Sequence, residues 1–430
     1  MNYLYLYLVP LLLVLALYLR RQRRIHGAQA AQLHESIASG LSEPSSLHPV
    51  VDPSRCMGSG ACAKACPEKA LGVVNGQMAL INAAHCIGHG ACLAACPVDA
   101  IKLVFGTEKR GVDIPNISPD FETNVPGIYI AGELGGMGLI RKAAEQGRQA
   151  IESIRKSKST GIADFDVIIV GCGPAGISAG LSALEHKLRY KILEQEDSLG
   201  GSVYHYPRQK ITMTAPVELA LVGKTKFNEV RKETLLAFWL DVVNTTGLQI
   251  DFCERMESID KVGDVFVVHT AKGSHTTRTV LLSMGRRGTP RKLDVPGEDL
   301  PKVMYRLADA AQFKGQAVLV VGGGDSALEA AISLSEQADT DVILSYRSGA
   351  FSRVKQKNRE MLAQQQLTGR LRVMLNSRVK QISEKAVEIE MEGQSQQHRN
   401  DAVIVCAGGL LPTPLLQKIG IRFDTKFGSA

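Results

Sequence analysis

The sequence predicts an α/β chain with two dinucleotide-binding Rossmann-like domains, preceded by a small α+β cysteine-rich domain and one transmembrane helix. Three observations predict it. An uncharged apolar run covers residues 3–19, six cysteines fall in a regular pattern over 56–96, and two strand–glycine loop–helix units begin at Phe165 and Ala317. With 430 residues the chain is too long for one core. Its 45% apolar and 22% charged residues fit a globular protein, not a disordered or fibrous one. Much of the +7 net charge sits in Arg20, Arg21, Arg23 and Arg24, and aromatics are only 5%, so nothing supports a nucleic-acid partner. Six of nine cysteines crowded together read as a metal site in a reducing compartment, not as a disulfide scaffold.

The first element is YLYLYLVPLLLVLALYL, followed at once by RRQRR. At about 1.5 Å per residue it reaches roughly 25 Å, near the lower limit for a spanning helix. Pro10 lies within it, and Tyr3, Tyr5 and Tyr18 suit headgroup levels. Secretory signals carry their positive charge before the apolar run, whereas here it follows, which argues for an uncleaved anchor over 1–24. The positive-inside rule then puts the N-terminus outside and the remaining domains in the cytoplasm, as a single-pass protein of the inner membrane. Residues 25–50, with scattered His, Ser, Gly and Pro, read as a tether.

Residues 56–67 (CMGSGACAKACP) and 86–97 (CIGHGACLAACP) form a repeat with a period of 30, each copy followed by a short apolar strand. The pattern over 51–105 resembles the bacterial two-cluster ferredoxin module, C-x2-C-x2-C-x3-C-P, in which the fourth cysteine of each run serves the other cluster. The resemblance implies one iron–sulfur cluster on Cys56, Cys62 and Cys96, and a second on Cys86, Cys92 and Cys66. Both copies depart from the pattern at the second cysteine position, which holds Ser59 in one and His89 in the other. A [4Fe–4S] cluster with an oxygen or imidazole ligand, one with an open iron, and a [3Fe–4S] cluster all remain open. Zinc held by thiolate and imidazole, or a degenerate module without metal, are the bland alternatives.

In the first nucleotide unit the buried-strand pattern FDVIIV runs into Gly171-Cys172-Gly173-Pro174-Ala175-Gly176, then a helical stretch and a strand ending near Glu194. Strand, G-x-G-x-x-G, helix, strand and a late acid make the full dinucleotide fingerprint: pyrophosphate at the helix N-terminus, ribose hydroxyl on the acid. The second unit pairs AVLVV with Gly322-Gly323-Gly324-Asp325-Ser326-Ala327. Its following strand ends at Tyr346 and Arg347 with no acid, and Arg353 and Lys355 come shortly after. That charge suits a 2′-phosphate, favouring NADPH over NADH.

Two such units in one chain resemble the thioredoxin-reductase-like flavoproteins, in the pyridine nucleotide-disulfide oxidoreductase superfamily, which implies FAD in the first and NAD(P)H in the second. Further matches are LEQEDSLGGS, containing Gly201, and the crossovers LLSMGRRGTPRKLDVPGE (281–298) and VIVCAGGLLPTPLL (403–416). The family's FAD-closing segment occurs early here, as TNVPGIYIAGELGGMGLIRKAAEQGRQAI (123–151), where Gly132 and Glu133 stand in place of Gly-Asp. The motif order implies a circular permutation: closing segment 106–160, FAD domain 161–289, NAD(P)H domain 290–401, and a return to the FAD domain over 402–430.

Thioredoxin reductase proper needs a Cys-x-x-Cys pair, and no two cysteines in this chain have that spacing. Cys172, Cys253 and Cys406 are isolated and read as structural. Electrons leaving a flavin therefore need another exit, which the cluster block supplies. The expectation is an NAD(P)H oxidoreductase passing electrons through FAD and two clusters to a membrane or protein partner, with no general acid or base required for hydride transfer. A small-disulfide reductase lacking the dithiol is the first rival, because YHYPRQKITMTAPVELAL (204–221) resembles such enzymes. A cluster-based redox sensor or assembly partner is the second. Relatives of this fold often dimerise, which leaves a homodimer open.

Overall fold

The computed structural model describes residues 3–428 except 39–43, 45, 46, 87, 109, 110, 137, 158–160, 215, 228, 287, 352, 353 and 355; side chains at 3–7, 84, 213, 289 and 356 also lie outside the description. The chain divides into two compact units. One comprises Met1–Val112, Ser348–Ala363 and Lys426–Ala430, the other Asp113–Arg347 and Gln364–Thr425.

In the first unit one helix runs from Tyr3 to Ala38, with Pro10 inside it. Its described side chains from Leu8 to Leu19 are exposed. The sequence predicts a spanning helix over 3–19, yet among the described residues no helix is long and apolar enough to cross a membrane. The stretch read as a tether also differs, since it is helical up to Ala38. Ala28, Ala30, Ala31, Gln29, Gln32 and Leu33 are strong helix formers, which composition-based reading of the scattered His and Ser overlooked. Gln29 Oε1 also accepts the Val73 amide at 2.9 Å, fastening this end of the helix to the cysteine module.

The module itself is two copies of one plan. Short helices Ala61–Ala65 and Ala91–Ala94 each follow a left-handed glycine, Gly60 (φ 70°) and Gly90 (φ 77°). Strand His48–Val51 pairs antiparallel with Ile101–Val104, and Leu71–Val74 with Gln77–Leu80. Cys62, Cys66, Cys86 and Cys92 belong to the module's buried core beside Leu71, Met78 and Ile101.

The second unit holds both nucleotide folds. In the first, strand Phe165–Val170 lies between Tyr190–Leu193 and the long strand Gly273–Leu282, parallel to both. The far end of the long strand takes a further parallel neighbour, Ile128–Ile130, and its near end continues antiparallel into Val265–Thr270 and Met256–Val262. Helix Ile140–Lys156 lays its small residues Ala143, Ala144, Gly147 and Ala150 on helix Pro174–Glu185. The approach is close enough that a Cβ on Gly147 would stand 2.1 Å from the Ala175 carbonyl oxygen. Residues 123–156 are thus an integral layer of the first nucleotide fold.

The second fold is a five-stranded parallel sheet in the order Val303–Met304, Ala402–Val405, Ala317–Val321, Asp341–Ser345, Leu371–Met374. Helix Asp325–Ser335 packs on it, and an antiparallel meander, Ser377–Ile382, Ala386–Met391 and Gln394–Arg399, follows the last helix-side strand.

Candidate functional site

Strand Phe165–Val170 ends at Gly171, whose φ of +102° turns the chain under helix Pro174–Glu185. A side chain at Gly171 would collide with Ser283 and Met284, and one at Gly176 would meet the Gly171 carbonyl at 1.9 Å. Gly173 differs: a Cβ there finds only Gly201 Cα, at 4.0 Å, so open space faces the helix N-terminus. Glycine-only walls with exposed amides at a helix start are what a pyrophosphate needs. Glu194 is buried (5% exposed) at the end of the next strand. Its Oε2 accepts the Cys172 amide at 2.7 Å and its Oε1 the Glu196 amide at 3.1 Å. Burial pushes its carboxyl pKa up, and those amides pull against that.

The residues predicted around this loop converge. Gly201 packs on Gly173, with its would-be Cβ 3.1 Å from Gly173 Cα. Gly132 lies against Ala175, and its amide donates to Gln146 Oε1 at 2.8 Å. A Cβ on Gly285, in the crossover loop, would be 3.7 Å from Glu133 Oε2. Three residues escaped the sequence reading. Arg286 Nη2 donates to the Asp113 carbonyl at 3.0 Å, and its charge faces Glu133; burial lowers its pKa. Ser283 Oγ donates to the carbonyls of Val170 and Gly171, tying the crossover to the glycine loop. Gln146 is the third. Ser283 and Arg286 lie in the crossover 281–298 and Gln146 in the segment 123–151, but their partners Gly171, Asp113 and Gly132 come near only in the fold.

The second loop repeats the plan. Gly322 has φ +150°, its would-be Cβ is 2.4 Å from the Cys406 carbonyl oxygen, and Gly324 again faces open space at the start of helix Asp325–Ser335. Asp325 and Ser326 lie in that first turn, and Ala327 is buried beneath it. Gly323 is covered by Tyr346, where a Cβ would stand 2.1 Å from the ring. Arg347 is exposed beyond the end of strand Asp341–Ser345, whereas Arg353 and Lys355 lie outside the described residues. The two folds are tied through residues 205–210. Lys210 Nζ donates to Glu329 Oε2 (2.7 Å), Arg208 pairs with Asp309 (3.1 Å), and Arg306 meets His205.

In the cysteine module the structure sorts the candidate ligands into two sets. Cys56, Cys62, Cys96 and Ser59 line one cavity. Cys66, Cys86, Cys92 and His89 line another. The fourth cysteine of each run thus serves the other run's cavity. Among the described residues no three His, Cys, Asp or Glu side chains gather tightly enough for a single metal ion. Three thiols around each cavity are a donor set that a multi-iron cluster takes. Main-chain amides point at the sulfurs: Met78 N donates to Cys56 Sγ at 3.4 Å and Ala100 N to Cys96 Sγ at 3.2 Å. Burial pushes the Cys86 thiol up to about 11 and also raises Cys62 and Cys92. Loading iron therefore has to expel protons from these thiols. Elsewhere Cys172 is fully buried, its thiol raised by burial and by Glu194, while Cys253 is exposed.

Comparison with known proteins finds two families along the chain. The family described as pyridine nucleotide-disulphide oxidoreductase matches residues 168–427, and a 4Fe-4S dicluster domain matches 48–97. A ferredoxin–NADP reductase of Streptococcus pneumoniae is 31% identical over 182 residues, 42% of this chain and 53% of that protein. The chain thus spans about half the length of that curated relative. The bacilliredoxin reductase of Bacillus subtilis is 26% identical over 267 residues, 61% of this chain and 82% of the relative. Among solved structures, a bacillithiol disulfide reductase from Staphylococcus aureus aligns with a TM-score of 0.54 at 26% identity, covering 61% of this chain and 81% of that one.

Proposed function

Because the chain belongs to the pyridine nucleotide-disulphide oxidoreductase family, we propose that it moves electrons between NADPH and a membrane or protein partner by way of FAD and two iron–sulfur clusters. It is an oxidoreductase, and its cofactors are FAD, NADPH and iron–sulfur clusters. One observation carries the reading. Two three-cysteine cavities share a chain with two nucleotide loops, and no Cys-x-x-Cys pair exists to take electrons from a flavin. The S. pneumoniae relative is a ferredoxin–NADP reductase; here a ferredoxin-like module is built into the chain.

FAD accepts a two-electron hydride and releases electrons singly, the conversion that a nucleotide-to-cluster junction requires. The protein's own residues hold the parts. Gly171, Gly173 and Gly176 clear the way for pyrophosphate at the N-terminus of helix Pro174–Glu185, with Pro174 and Ala175 in its first turn. Glu194 is placed for the ribose. Gly132 and Glu133 close the site from segment 123–156, and Gly201 walls the loop. Gly322, Gly324, Asp325, Ser326 and Ala327 shape the NADPH loop, and Arg347 offers the charge for a 2′-phosphate. Cys56, Cys62 and Cys96 hold one cluster, and Cys66, Cys86 and Cys92 the other.

The same reading includes a membrane attachment through 3–19 and a circularly permuted order of the FAD domain. The uncharged run followed by RRQRR supports the first, and co-sedimentation with anionic vesicles should be lost when residues 1–24 are removed. Parallel pairing of Ile128–Ile130 with Val280–Leu282, ahead of strand Phe165–Val170 in the chain, supports the second. The central test is anaerobic titration with NADPH under optical and EPR observation. Flavin bleaching followed by cluster signals is expected; bleaching with intact, silent clusters would overturn the relay.

A second reading, reduction of a small or protein disulfide, is favoured by the 82% coverage of the bacilliredoxin reductase. Turnover of such a disulfide that persists in a Cys62→Ala, Cys92→Ala variant would establish it.

A further inference from the structure

The two cysteine runs are copies, but the residues standing at their second ligand positions behave differently. Ser59 Oγ is engaged: it accepts the Ala61 amide at 3.5 Å, at the start of helix Ala61–Ala65. His89 Nε2 is buried and has no hydrogen-bond partner among the described residues. Burying a ring nitrogen without a partner is costly, so such an atom calls for an explanation. His89 lines the cavity that also holds Cys66, Cys86 and Cys92. It is held there by Gly88 and Gly90, both left-handed (φ 74° and 77°). Gly88 sits so close to Leu47 that a Cβ would meet its carbonyl at 2.5 Å, which fixes the loop's path over the cavity.

Donor chemistry points the same way. A neutral imidazole offers a lone pair without losing a proton, and Nε2 is a common metal-binding atom. A serine hydroxyl would first have to give up a proton that ordinarily stays bound well above neutral pH. We propose that the two clusters have different donor sets. Nε2 of His89 is the fourth ligand of the cluster on Cys66, Cys86 and Cys92, whereas Ser59 does not ligate, leaving its cluster on three thiolates. This rests on the reading that both cavities hold iron–sulfur clusters. Exchanging an anionic thiolate for a neutral ring raises a cluster's potential, so the two centres are set apart electrically as well.

The test uses the full chain, reconstituted anaerobically with iron and sulfide, and prepared with and without 15N-histidine. Pulsed EPR of the reduced protein should show a directly coupled nitrogen whose coupling changes with the isotope. His89→Gln should abolish that coupling, and Ser59→Ala should leave the EPR and iron content unchanged. His89→Cys should lower one cluster potential and leave the other in place. Two clusters per chain with no histidine nitrogen coupling would overturn this assignment alone. Absence of acid-labile sulfide would overturn the cluster reading beneath it. The labelled unmutated protein decides the matter even where a variant fails to load.

Discussion

Lys210 Nζ donates to Glu329 Oε2 at 2.7 Å, joining the 205–210 segment beside the first nucleotide fold to helix Asp325–Ser335, which starts at the second glycine loop. Tyr206 lies under the same ammonium, its ring centroid 4.8 Å away. The two side chains are 29% and 22% exposed, so the pair contributes under about 1 kcal/mol to stability. Its larger effect is on the position of the nucleotide loop. Lys210→Met should slow flavin reduction by NADPH about threefold to tenfold in stopped flow, with little change in melting temperature. The exchanged pair Lys210→Glu, Glu329→Lys should recover part of the loss. Equal rates for all three proteins would show that the contact does not position the loop.

Cys172 sits inside the FAD glycine loop and invites a nucleophilic role in any disulfide chemistry. The structure argues against one. It is fully buried, and both burial and the neighbouring Glu194 carboxylate push its thiol pKa up, the reverse of what a reactive cysteine needs. Cys172→Ala should keep NADPH-driven activity within about twofold and cost roughly 1 kcal/mol of stability from lost packing. Alkylation should reach the exposed Cys253 well before Cys172. A variant inactive toward disulfides yet normal in flavin reduction would restore Cys172 as a participant.

The comparison of sequence with structure follows the range of each interaction. Cysteine spacing and the glycine loops are local signals, and the residues around Gly173 and the two cysteine sets came together as their order in the chain implies. The crossed assignment of Cys66 and Cys96 was implied by the resemblance to the two-cluster ferredoxin module, and each of them lines the other run's cavity. Arg286, Ser283 and Gln146 were not, since their partners Asp113, Gly171 and Gly132 are brought near only by the sheet. The helix through Ala38 was less legible for a different reason: its Ala- and Gln-rich helix formers are interspersed with His, Ser and Gly, which weaken the local signal. The unlike settings of Ser59 and His89 needed coordinates, because they depend on where one amide and one ring nitrogen lie.

Glu152 and His186 clamp the closing helix Ile140–Lys156 to the end of the first nucleotide helix, with Oε1 and Nε2 2.7 Å apart. The His186 hydrogen bond, helped by Arg155 and opposed by partial burial, holds the Glu152 carboxyl below its ordinary 4.5. The folded state therefore binds this proton less readily than the unfolded chain. The stabilisation is fully present above about 4.5 and is lost as pH falls through the lowered value. With both side chains partly exposed, it amounts to a few tenths of a kcal/mol. Flavin release on heating, followed by fluorescence at about pH 5 and about pH 3.5, should separate wild type from Glu152→Gln at the higher pH and bring them together at the lower. Parallel curves would remove the clamp from the account.

Tyr346 and Gly323 make the sharpest prediction about the NADPH loop. The ring occupies the space that any side chain at 323 would enter, with a Cβ only 2.1 Å from its nearest carbon. Gly323→Ala must therefore move either the ring or the loop. The parallel pairing of Val321 with Ser345 fixes the backbone just before both residues, so the displacement falls on the Tyr346 ring or on residues 322–324, and either disturbs the nucleotide loop. The single variant should raise KM for NADPH by about tenfold or more, while FAD content stays normal because Gly173 and its helix are untouched. Tyr346→Ala removes the obstacle. If collision is the cause, Gly323→Ala should be far less harmful in that background, giving a coupling energy of about 1 kcal/mol or more in a double-mutant cycle. Additive losses would instead mean that Tyr346 and Gly323 serve the nucleotide separately, with the ring itself contacting the cofactor.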